Sequence, residues 1–241
     1  MNKIKISAVS YTNTKPFIYG IEHSALLDQI DLSLDIPTDC AAKLIDGQVD
    51  IGLIPVAAIP DVPNAHIVAD YCIGSVGAVN SVFIFSKVPV AEIGTVKLDL
   101  HSRTSNHLAK VLLKFHFKQQ VSYTTDQAAE TDAIVLIGDR TFGRKEEFAY
   151  AYDMGQEWMN FTGLPFMYAA WVANKPIPQA FINDFNEALA FGLSKRKALL
   201  QELPEQANFD LEDYLLHKLD FELTAKKREA LELFLMYITK L

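Results

Sequence analysis

The sequence contains little cysteine, and its thiols are not arranged for a metal site or a disulfide framework. Cys40 and Cys72 are the only two cysteines in 241 residues, and neither lies in a Cys-X-X-Cys pair or near clustered histidines. Structural zinc sites and disulfide-rich folds depend on such groupings. We therefore expect no structural disulfide and no metal ion.

Long apolar runs and an excess of positive charge are also missing. The most apolar run, Ile51 to Ile59, is interrupted by Pro55 and closed by Pro60, and a transmembrane helix needs about 20 apolar residues. The net charge is −8, whereas a general nucleic-acid surface needs a basic face to neutralise phosphates. The sequence therefore predicts neither a membrane partner nor a nucleic-acid partner, and an anionic ligand must be bound by local donors.

The first residues also lack the features of an export signal. Residues 1–9 alternate like a strand, without an apolar core region or a small-residue cleavage site, which predicts a cytoplasmic protein. The chain is rich in apolar residues, since 50% of its residues are hydrophobic. A chain of this length can bury a large core, either as one α/β domain or as two modest lobes.

Strand and helix signals alternate along the first part of the chain. Their alternation over residues 3–56 predicts a doubly wound α/β lobe, and a second, shorter α/β pattern after Pro89 predicts a smaller inserted lobe. Everything after Pro178 has helical periodicity. The predicted strands cover residues 3–9, 32–36, 47–56, 67–73, 79–85, 96–100, 121–123, 133–139 and 166–172. Before the helical C-terminal segment, the predicted helices include residues 38–45 and 108–117.

A polar loop follows the first predicted strand. It contains Ser10, Tyr11, Asn13 and Thr14, and Pro16 then suits the start of a helix. Open α/β sheets bind their ligands in such loops. From the residues alone, Asn13 is more typical of a turn residue that accepts a left-handed φ.

A second polar segment, residues 102–107, precedes the helix predicted at Leu108. Thr104 or Ser105 is the predicted N-cap, and the N–H groups at a helix start together with the helix dipole favour an anion. Arg103 adds a rigid guanidinium that can bind a carboxylate through two parallel hydrogen bonds. The alternative is an ordinary capped helix whose Arg103 pairs with a surface acid.

Five stretches of the chain, taken together, carry a resemblance to a known family. They are AVSYTNTKPF at 8–17, GQVDIGLIPV at 47–56, SRTSNHLAKVLL at 102–113, AIVLIGDRTF at 133–142 and YDMGQEWMNFTGLPFMYAAWVA at 152–173. In this order they resemble the chorismate dehydratases of the futalosine route of menaquinone biosynthesis, which have the type II periplasmic-binding-protein fold. The chain departs from that family at Thr12, where the first loop usually has an apolar residue.

The resemblance implies a fold and a reaction. The fold would be a two-lobed α/β structure with a larger lobe at 1–90 and 160–241, including a helical C-terminal tail, and a smaller inserted lobe at 91–159, with the substrate cleft between them. The reaction would be loss of water from chorismate, a dicarboxylate, to give 3-[(1-carboxyvinyl)oxy]benzoate without a metal or an organic cofactor. The oligomeric state is left open.

The resemblance also implies roles for individual residues. Arg103, Thr104 and Ser105 would bind a substrate carboxylate, while Asn13 and Ser81 would lie at the reacting ring as catalytic residues. Further substrate-binding residues would be Ser10, Tyr11, Thr14, Gly138 and Asp139. Ser81 has no neighbouring histidine or acid in the sequence, so no nucleophilic triad is indicated.

No obvious general base stands out in the sequence. His107, Asp139, Asp153 and Glu157 are candidates, but an acid would repel a dianionic substrate. We therefore favour abstraction of the ring proton by the substrate's own enolpyruvyl carboxylate. Two other functions remain open: a 1,4-dihydroxy-6-naphthoate synthase-like enzyme of the same pathway, and a non-catalytic cytosolic binding protein for a small carboxylate.

Overall fold

The computed structural model describes residues 3–241 of the chain, so Met1 and Asn2, the first two residues of the alternating segment at 1–9, lie outside the described residues. Contacts divide the chain into two units. The first unit contains the chain up to Ile73, Tyr168–Pro204 and Asp220–Leu223, and the second contains Gly74–Met167, Glu205–Leu219 and Thr224–Leu241.

The strands and helices alternate over much of the chain. In chain order, the strands are β1 (Ile4–Val9), β2 (Ile30–Asp35), β3 (Ile51–Pro55), β4 (His66–Ser75), β5 (Val82–Ser86), β6 (Thr95–Lys97), β7 (Ser122–Thr124), β8 (Ala133–Ile137), β9 (Tyr150–Asp153), β10 (Phe166–Ala173) and β11 (Asp220–Glu222). The helices are α1 (Lys15–Glu22), α2 (Pro37–Ile45), α3 (Arg103–Val111), α4 (Met154–Thr162), α5 (Gln179–Ser194), α6 (Arg196–Leu200), α7 (Leu211–Asp213) and α8 (Ala225–Ile238).

The first sheet has the strand order β11-β4-β10-β3-β1-β2. Strand β1 pairs in parallel with β2 and β3, while β10 is antiparallel to β3. The carboxyl ends of β1, β2 and β3 therefore meet at one edge, where the polar loop after β1 lies. Pro16 and Pro37 lie in the first turns of α1 and α2, where a missing N–H costs no helical hydrogen bond.

Aromatic side chains fill the core of the first unit. Phe17 on α1 packs edge-on against Trp171 and Phe221, at ring-centroid distances of 5.9 and 5.3 Å, and Trp171 packs against Phe185 on α5 at 5.0 Å. Such edge-to-face contacts add to the free energy gained by burying the rings. They attach α1, β10, α5 and β11 to one another.

The second sheet has the order β7-β6-β8-β5-β9. Strands β7, β6 and β8 are parallel, and β5 is antiparallel to both β8 and β9. In the core of this unit, Trp158 packs edge-on against Phe166 at 5.2 Å and Phe234 at 6.0 Å. The C-terminal helix α8, which carries Phe234, is therefore part of the second unit.

Two features differ from the predictions. The two units differ in extent from the predicted lobes: the second begins at Gly74, takes in 205–219 and 224–241, and covers more of the chain than the first. The physical reason is that Phe234 of α8 packs against Trp158, so this helix completes the core of the second unit. In addition, the tail is not wholly helical, because β11 adds a strand beside β4.

Within residues 3–241, no helix is both long enough and apolar enough to cross a membrane.

Candidate functional site

One edge of the second sheet collects the predicted site residues of that unit. Strands β6 and β8 run in parallel, and Val82 at the start of the antiparallel β5 pairs with Ile137 at the end of β8. The segments after β6 and β8 and the segment before β5 therefore lie at the same edge. This arrangement places Arg103, Gly138 and Ser81 in neighbouring segments.

The Arg103 segment forms the first turn of α3. Helix α3 begins at Arg103, and its N-cap is Ser102, whose Oγ accepts a hydrogen bond from the Ser105 N–H at 3.1 Å. The predicted N-cap at Thr104 or Ser105 is wrong, because both residues already have helical positions in the first turn. Their side chains are buried, and the N–H groups of a first turn have no partner within the helix. The nine-residue helix thus presents an N-terminus suited to an anion, with Arg103 beside it.

A side-chain network that the sequence did not reveal stabilises this loop. The Asn106 amide donates to the Asp99 carbonyl at 2.7 Å and accepts from the Asp99 N–H at 2.9 Å. The Asp99 carboxylate accepts from the His101 N–H at 2.7 Å and from Arg140 Nη2 at 2.9 and 2.7 Å. The Asp99 side chain is fully buried, so these charge-assisted bonds join the loop after β6 to the turn after β8.

The segment before β5 is constrained through its backbone. Asn80 has a left-handed φ of 62°, and its N–H donates to the Asp153 carboxylate at 2.7 Å, as does the N–H of Val79 at 3.0 Å. The Gly138 N–H donates to the Ser81 carbonyl at 2.8 Å. These bonds fix Ser81, which is only 1% exposed, relative to the start of the turn after β8.

Gly138 begins that turn with a φ of 62°, a conformation that costs glycine little. Asp139 follows it in the same 3₁₀ turn and is half-buried. The resemblance predicts that both residues bind the substrate. The structure places them at the same sheet edge as Ser81.

A further residue at this edge was missed by the sequence reasoning. The hydroxyl of Tyr214 donates to Ser81 Oγ at 2.9 Å, and Tyr214 is fully buried. Sequence separation concealed the pair, since its members are 133 positions apart. In the sequence, Tyr214 is only one apolar position of the helical segment after Pro178.

A surface cavity of about 210 Å³ adjoins the segment before β5. Its lining includes Asn80, Thr141 and Lys145, whose ammonium donates to the Asn80 amide oxygen at 2.7 Å. The acidic residues Glu146 and Asp210 also line it. Their charges disfavour a dianion in this cavity, so we do not place the substrate there.

The predicted loop of the first unit lies at the carboxyl end of β1. Ser10 is exposed, Tyr11 and Asn13 are half-buried, and Thr14 is fully buried. The Thr14 hydroxyl donates to the Asn13 amide oxygen at 3.2 Å, which orients the amide. Thr12 is also buried, so the position where the family usually has an apolar residue is a packed one here too.

The strand beside this loop carries a partly buried ionic cluster. Asp35 on β2 accepts hydrogen bonds from Ser7, Ser33 and Lys43 at 2.7 to 2.8 Å. Burial acts to raise the pKa of Asp35, but the hydrogen bonds from Lys43, Ser33 and Ser7 outweigh it and hold the pKa below its ordinary value. The backbone carbonyl of Asp35 accepts from the Ser10 N–H at 2.9 Å, which links the cluster to the loop.

Three of the candidate bases have structural partners. Asp153 caps α4 and accepts hydrogen bonds from four backbone N–H groups, those of Val79, Asn80, Gly155 and Gln156. Burial raises its pKa, and these N–H groups act in the opposite direction. Glu157 lies 3.1 Å from His116 Nε2, and His107 Nδ1 lies 2.8 Å from the Arg103 carbonyl oxygen.

Both thiols are buried, and the His, Cys, Asp and Glu side chains of the described residues form no group that could hold a metal ion. Cys40 and Cys72 are free and buried, and burial raises the pKa of Cys40 to about 12, so its reactive thiolate is scarce. Within residues 3–241, no three His, Cys, Asp or Glu side chains are grouped so that they could hold a metal ion.

Comparison with known proteins adds family evidence to this geometry. The family model described as "Menaquinone biosynthesis" matches residues 4–240. The chain belongs to this menaquinone biosynthesis family. Among curated relatives, a chorismate dehydratase of Thermus thermophilus is 24% identical over 219 residues, which are 79% of this chain and 78% of that protein.

Solved structures establish the fold of this family member. Protein AF1704 from Archaeoglobus fulgidus superposes with a TM-score of 0.75 at 14% identity, covering 99% of this chain and 97% of the other. The Candida albicans CA3427 gene product, described as having the generic periplasmic binding protein fold, gives a TM-score of 0.68 at 12% identity and covers 100% and 94%. The predicted α/β periplasmic-binding-protein-like fold is confirmed.

Proposed function

We propose that this protein is a chorismate dehydratase, which removes water from chorismate to give 3-[(1-carboxyvinyl)oxy]benzoate in menaquinone biosynthesis. The observation that carries the proposal is the similarity to the Thermus thermophilus chorismate dehydratase within a family match that spans residues 4–240. The enzyme class would be a carbon–oxygen lyase. A cytoplasmic location and a reaction without a cofactor remain predictions.

The chemistry of this reaction defines what the protein must supply. The proton at C3 of chorismate is acidified through the conjugated ring carboxylate, and its loss together with the C4 hydroxyl forms an aromatic ring. The C3–H and C4–O bonds break, a C3–C4 double bond forms, and the proton and the hydroxide together make the released water. The protein must hold two carboxylates in place and stabilise charge on the departing oxygen.

The Arg103 segment is suited to one of the two carboxylates. The guanidinium offers a fork of donors, and the N-terminus of α3, whose first turn contains the buried residues Thr104 and Ser105, adds the positive end of a helix dipole. The network around Asp99 stabilises this loop. We assign Arg103, Thr104 and Ser105 to substrate binding.

Ser81 and Asn13 are assigned to the reacting ring. Both side chains can donate a hydrogen bond to an oxygen, but neither is a strong base at neutral pH. The proposal therefore keeps the enolpyruvyl carboxylate as the acceptor of the C3 proton, while Ser81 and Asn13 hold the geometry. Ser10, Tyr11, Thr14, Gly138 and Asp139 are proposed as further substrate-binding residues because their loops follow or precede strands at the two sheet edges.

The test is to mix the purified protein with chorismate and follow the formation of an aromatic product by absorbance and mass spectrometry. We expect a product lighter than chorismate by one water, and a large but still measurable fall in kcat in both Asn13→Ala and Ser81→Ala. Either variant with undiminished turnover would remove the assigned roles. Asn183→Ala is a matched control, since Asn183 is an exposed residue of α5.

The same assay separates the competing functions. If chorismate is retained unchanged in a stoichiometric complex, the protein is a binding protein. The same fold serves that function in SsuA of Escherichia coli, a periplasmic aliphatic sulphonate binding protein. SsuA matches with a TM-score of 0.56 at 17% identity, covering 97% of this chain and 92% of that one. If chorismate is neither bound nor converted, the proposed activity is wrong. The 1,4-dihydroxy-6-naphthoate synthase-like alternative would then be assayed with its own substrate.

A further inference from the structure

A buried aromatic side chain lies directly behind the proposed catalytic serine. Tyr214 is 0% exposed and Ser81 is 1% exposed, and the Tyr214 hydroxyl donates to Ser81 Oγ across 2.9 Å. Both residues belong to the second unit. A hydrogen bond between two hydroxyls in a buried environment is electrostatically stronger than the same bond in water.

The tyrosine ring is held so that its hydroxyl is aimed at Ser81. Phe142 and Phe209 stack on each other at 3.8 Å, and both meet the Tyr214 ring edge-on, at 5.4 and 5.3 Å. Tyr214 also begins a turn in which the Leu219 N–H bonds back to the Tyr214 carbonyl at 3.1 Å, a π-type pattern. Single π-turns of this kind occur frequently at functional sites.

The backbone of Ser81 is fixed independently of Tyr214. Its carbonyl accepts from the Gly138 N–H, and the preceding N–H groups of Val79 and Asn80 donate to Asp153. Loss of the tyrosine hydroxyl would therefore leave the serine Cα in place and free only the rotation of its Oγ. This separation between backbone and hydroxyl makes the role of Tyr214 measurable.

We propose that Tyr214 is a positioning residue for the dehydration, which directs the Ser81 hydroxyl proton toward the departing oxygen of the substrate. Because the Ser81 oxygen accepts a hydrogen bond from Tyr214, the Ser81 O–H remains available to donate to the substrate. The bond from the Tyr214 hydroxyl also polarises the Ser81 O–H group. No proton leaves either residue, because the hydrogen bond only stabilises charge as the C4–O bond breaks. This inference rests on the proposed function.

The test is a double-mutant cycle with Tyr214→Phe and Ser81→Ala, assayed with chorismate. Losing one neutral hydrogen bond predicts a roughly three- to tenfold fall in kcat for Tyr214→Phe with little change in KM. In the Ser81→Ala background, Tyr214→Phe should have no further effect on kcat, because the hydroxyl that it positions is absent. A purely structural tyrosine would instead lower kcat equally in both backgrounds.

A control variant distinguishes this role from the general loss of a tyrosine hydroxyl. Tyr152→Phe removes another tyrosine hydroxyl of the same unit, one that accepts from the Val90 N–H at 2.8 Å, and kcat should stay at the wild-type value. If the wild-type protein converts chorismate and Tyr214→Phe has the same kcat, the role of Tyr214 is overturned while the proposed function stands. A wild-type protein that forms no product would overturn the proposed function, and this inference with it.

Discussion

Among single residues, Asp35 shows how a partly buried carboxylate stays ionised. Its side chain is 16% exposed, and Ser7, Ser33 and Lys43 all donate to it. The pKa of Asp35 therefore lies below the ordinary aspartate value of about 3.9. The stabilisation that it contributes is complete above that ordinary value and is lost as the pH falls through the folded-state pKa.

We predict that Asp35→Asn lowers the free energy of unfolding by about 1–3 kcal/mol at pH 7, because Lys43 loses its charged partner. The difference from wild type should stay constant above about pH 5 and shrink as the pH falls below about 4. Urea unfolding over a pH series measures it. Asp31→Asn, at an exposed position of the same strand, is the control, and an equal pH-dependent effect there would contradict the assignment.

Arg103 carries the prediction for substrate binding. Arg103→Ala should raise KM for chorismate roughly ten- to a hundredfold, because a charged hydrogen bond contributes about 1.5–3 kcal/mol. Arg103→Lys should recover only part of this loss, since an ammonium lacks the planar fork. Steady-state kinetics provide the measurement.

Arg144→Ala is the matched control for Arg103. Arg144 lies in the same unit but forms a surface ion pair with Glu147 at 2.7 Å, and such pairs contribute little to stability. Its KM should equal that of wild type. Equal values of KM for Arg103→Ala and Arg144→Ala would exclude Arg103 from the substrate site.

At the scale of elements, the crossing of α1 and α5 depends on two glycines. A Cβ built at Gly192 would overlap the Pro16 carbonyl oxygen, and one at Gly20 would overlap the Ala188 carbonyl oxygen. Backbone atoms cannot move aside as a flexible side chain would. The close approach positions α1, and with it the loop that carries Asn13, against the rest of the first unit.

We predict that Gly192→Ala destabilises the protein by roughly 1–3 kcal/mol through overpacking. Helix propensity alone predicts the opposite sign, since alanine is favoured over glycine inside a helix by about 1 kcal/mol. Thermal and urea unfolding decide between the two. Glu187→Ala, on the exposed side of α5, should change stability little, and a Gly192→Ala protein as stable as wild type would refute the packing argument.

For the whole molecule, the last helix completes the unit that carries Arg103 and Ser81. Phe234 on α8 is fully buried and meets Trp158 and Phe166 edge-on. The unit is therefore built from chain segments far apart in sequence. Its stability depends on the last residues of the chain.

We predict that Phe234→Ala lowers the free energy of unfolding by about 3–5 kcal/mol, the usual cost of removing a buried phenylalanine. Met236→Ala is the control, because Met236 lies on the same helix and is 40% exposed. Equilibrium unfolding of both variants measures the difference. A Phe234→Ala protein no less stable than the control would show that α8 contributes no core.

Local patterns predicted most elements but not their ends. The predicted strand at 133–139 is β8 at Ala133–Ile137, and the predicted helix at 108–117 begins already at Arg103. The start was misplaced because Ser102, Thr104 and Ser105 are all good caps, and only the backbone conformation shows that Ser102 accepts the Ser105 N–H. β11 was missed because three residues carry too little periodicity to be recognised.

The sequence by itself determined the α/β class, the loops at Asn13 and Arg103 and the resemblance to a menaquinone biosynthesis family, because periodicity, turn residues and short motifs are local. Only the tertiary structure decided that α8 joins the second unit, that Asn106 and Arg140 stabilise the loop before α3, and that Tyr214 donates to Ser81. These are contacts between distant segments. They depend on which apolar faces bury each other, and no local pattern encodes that choice.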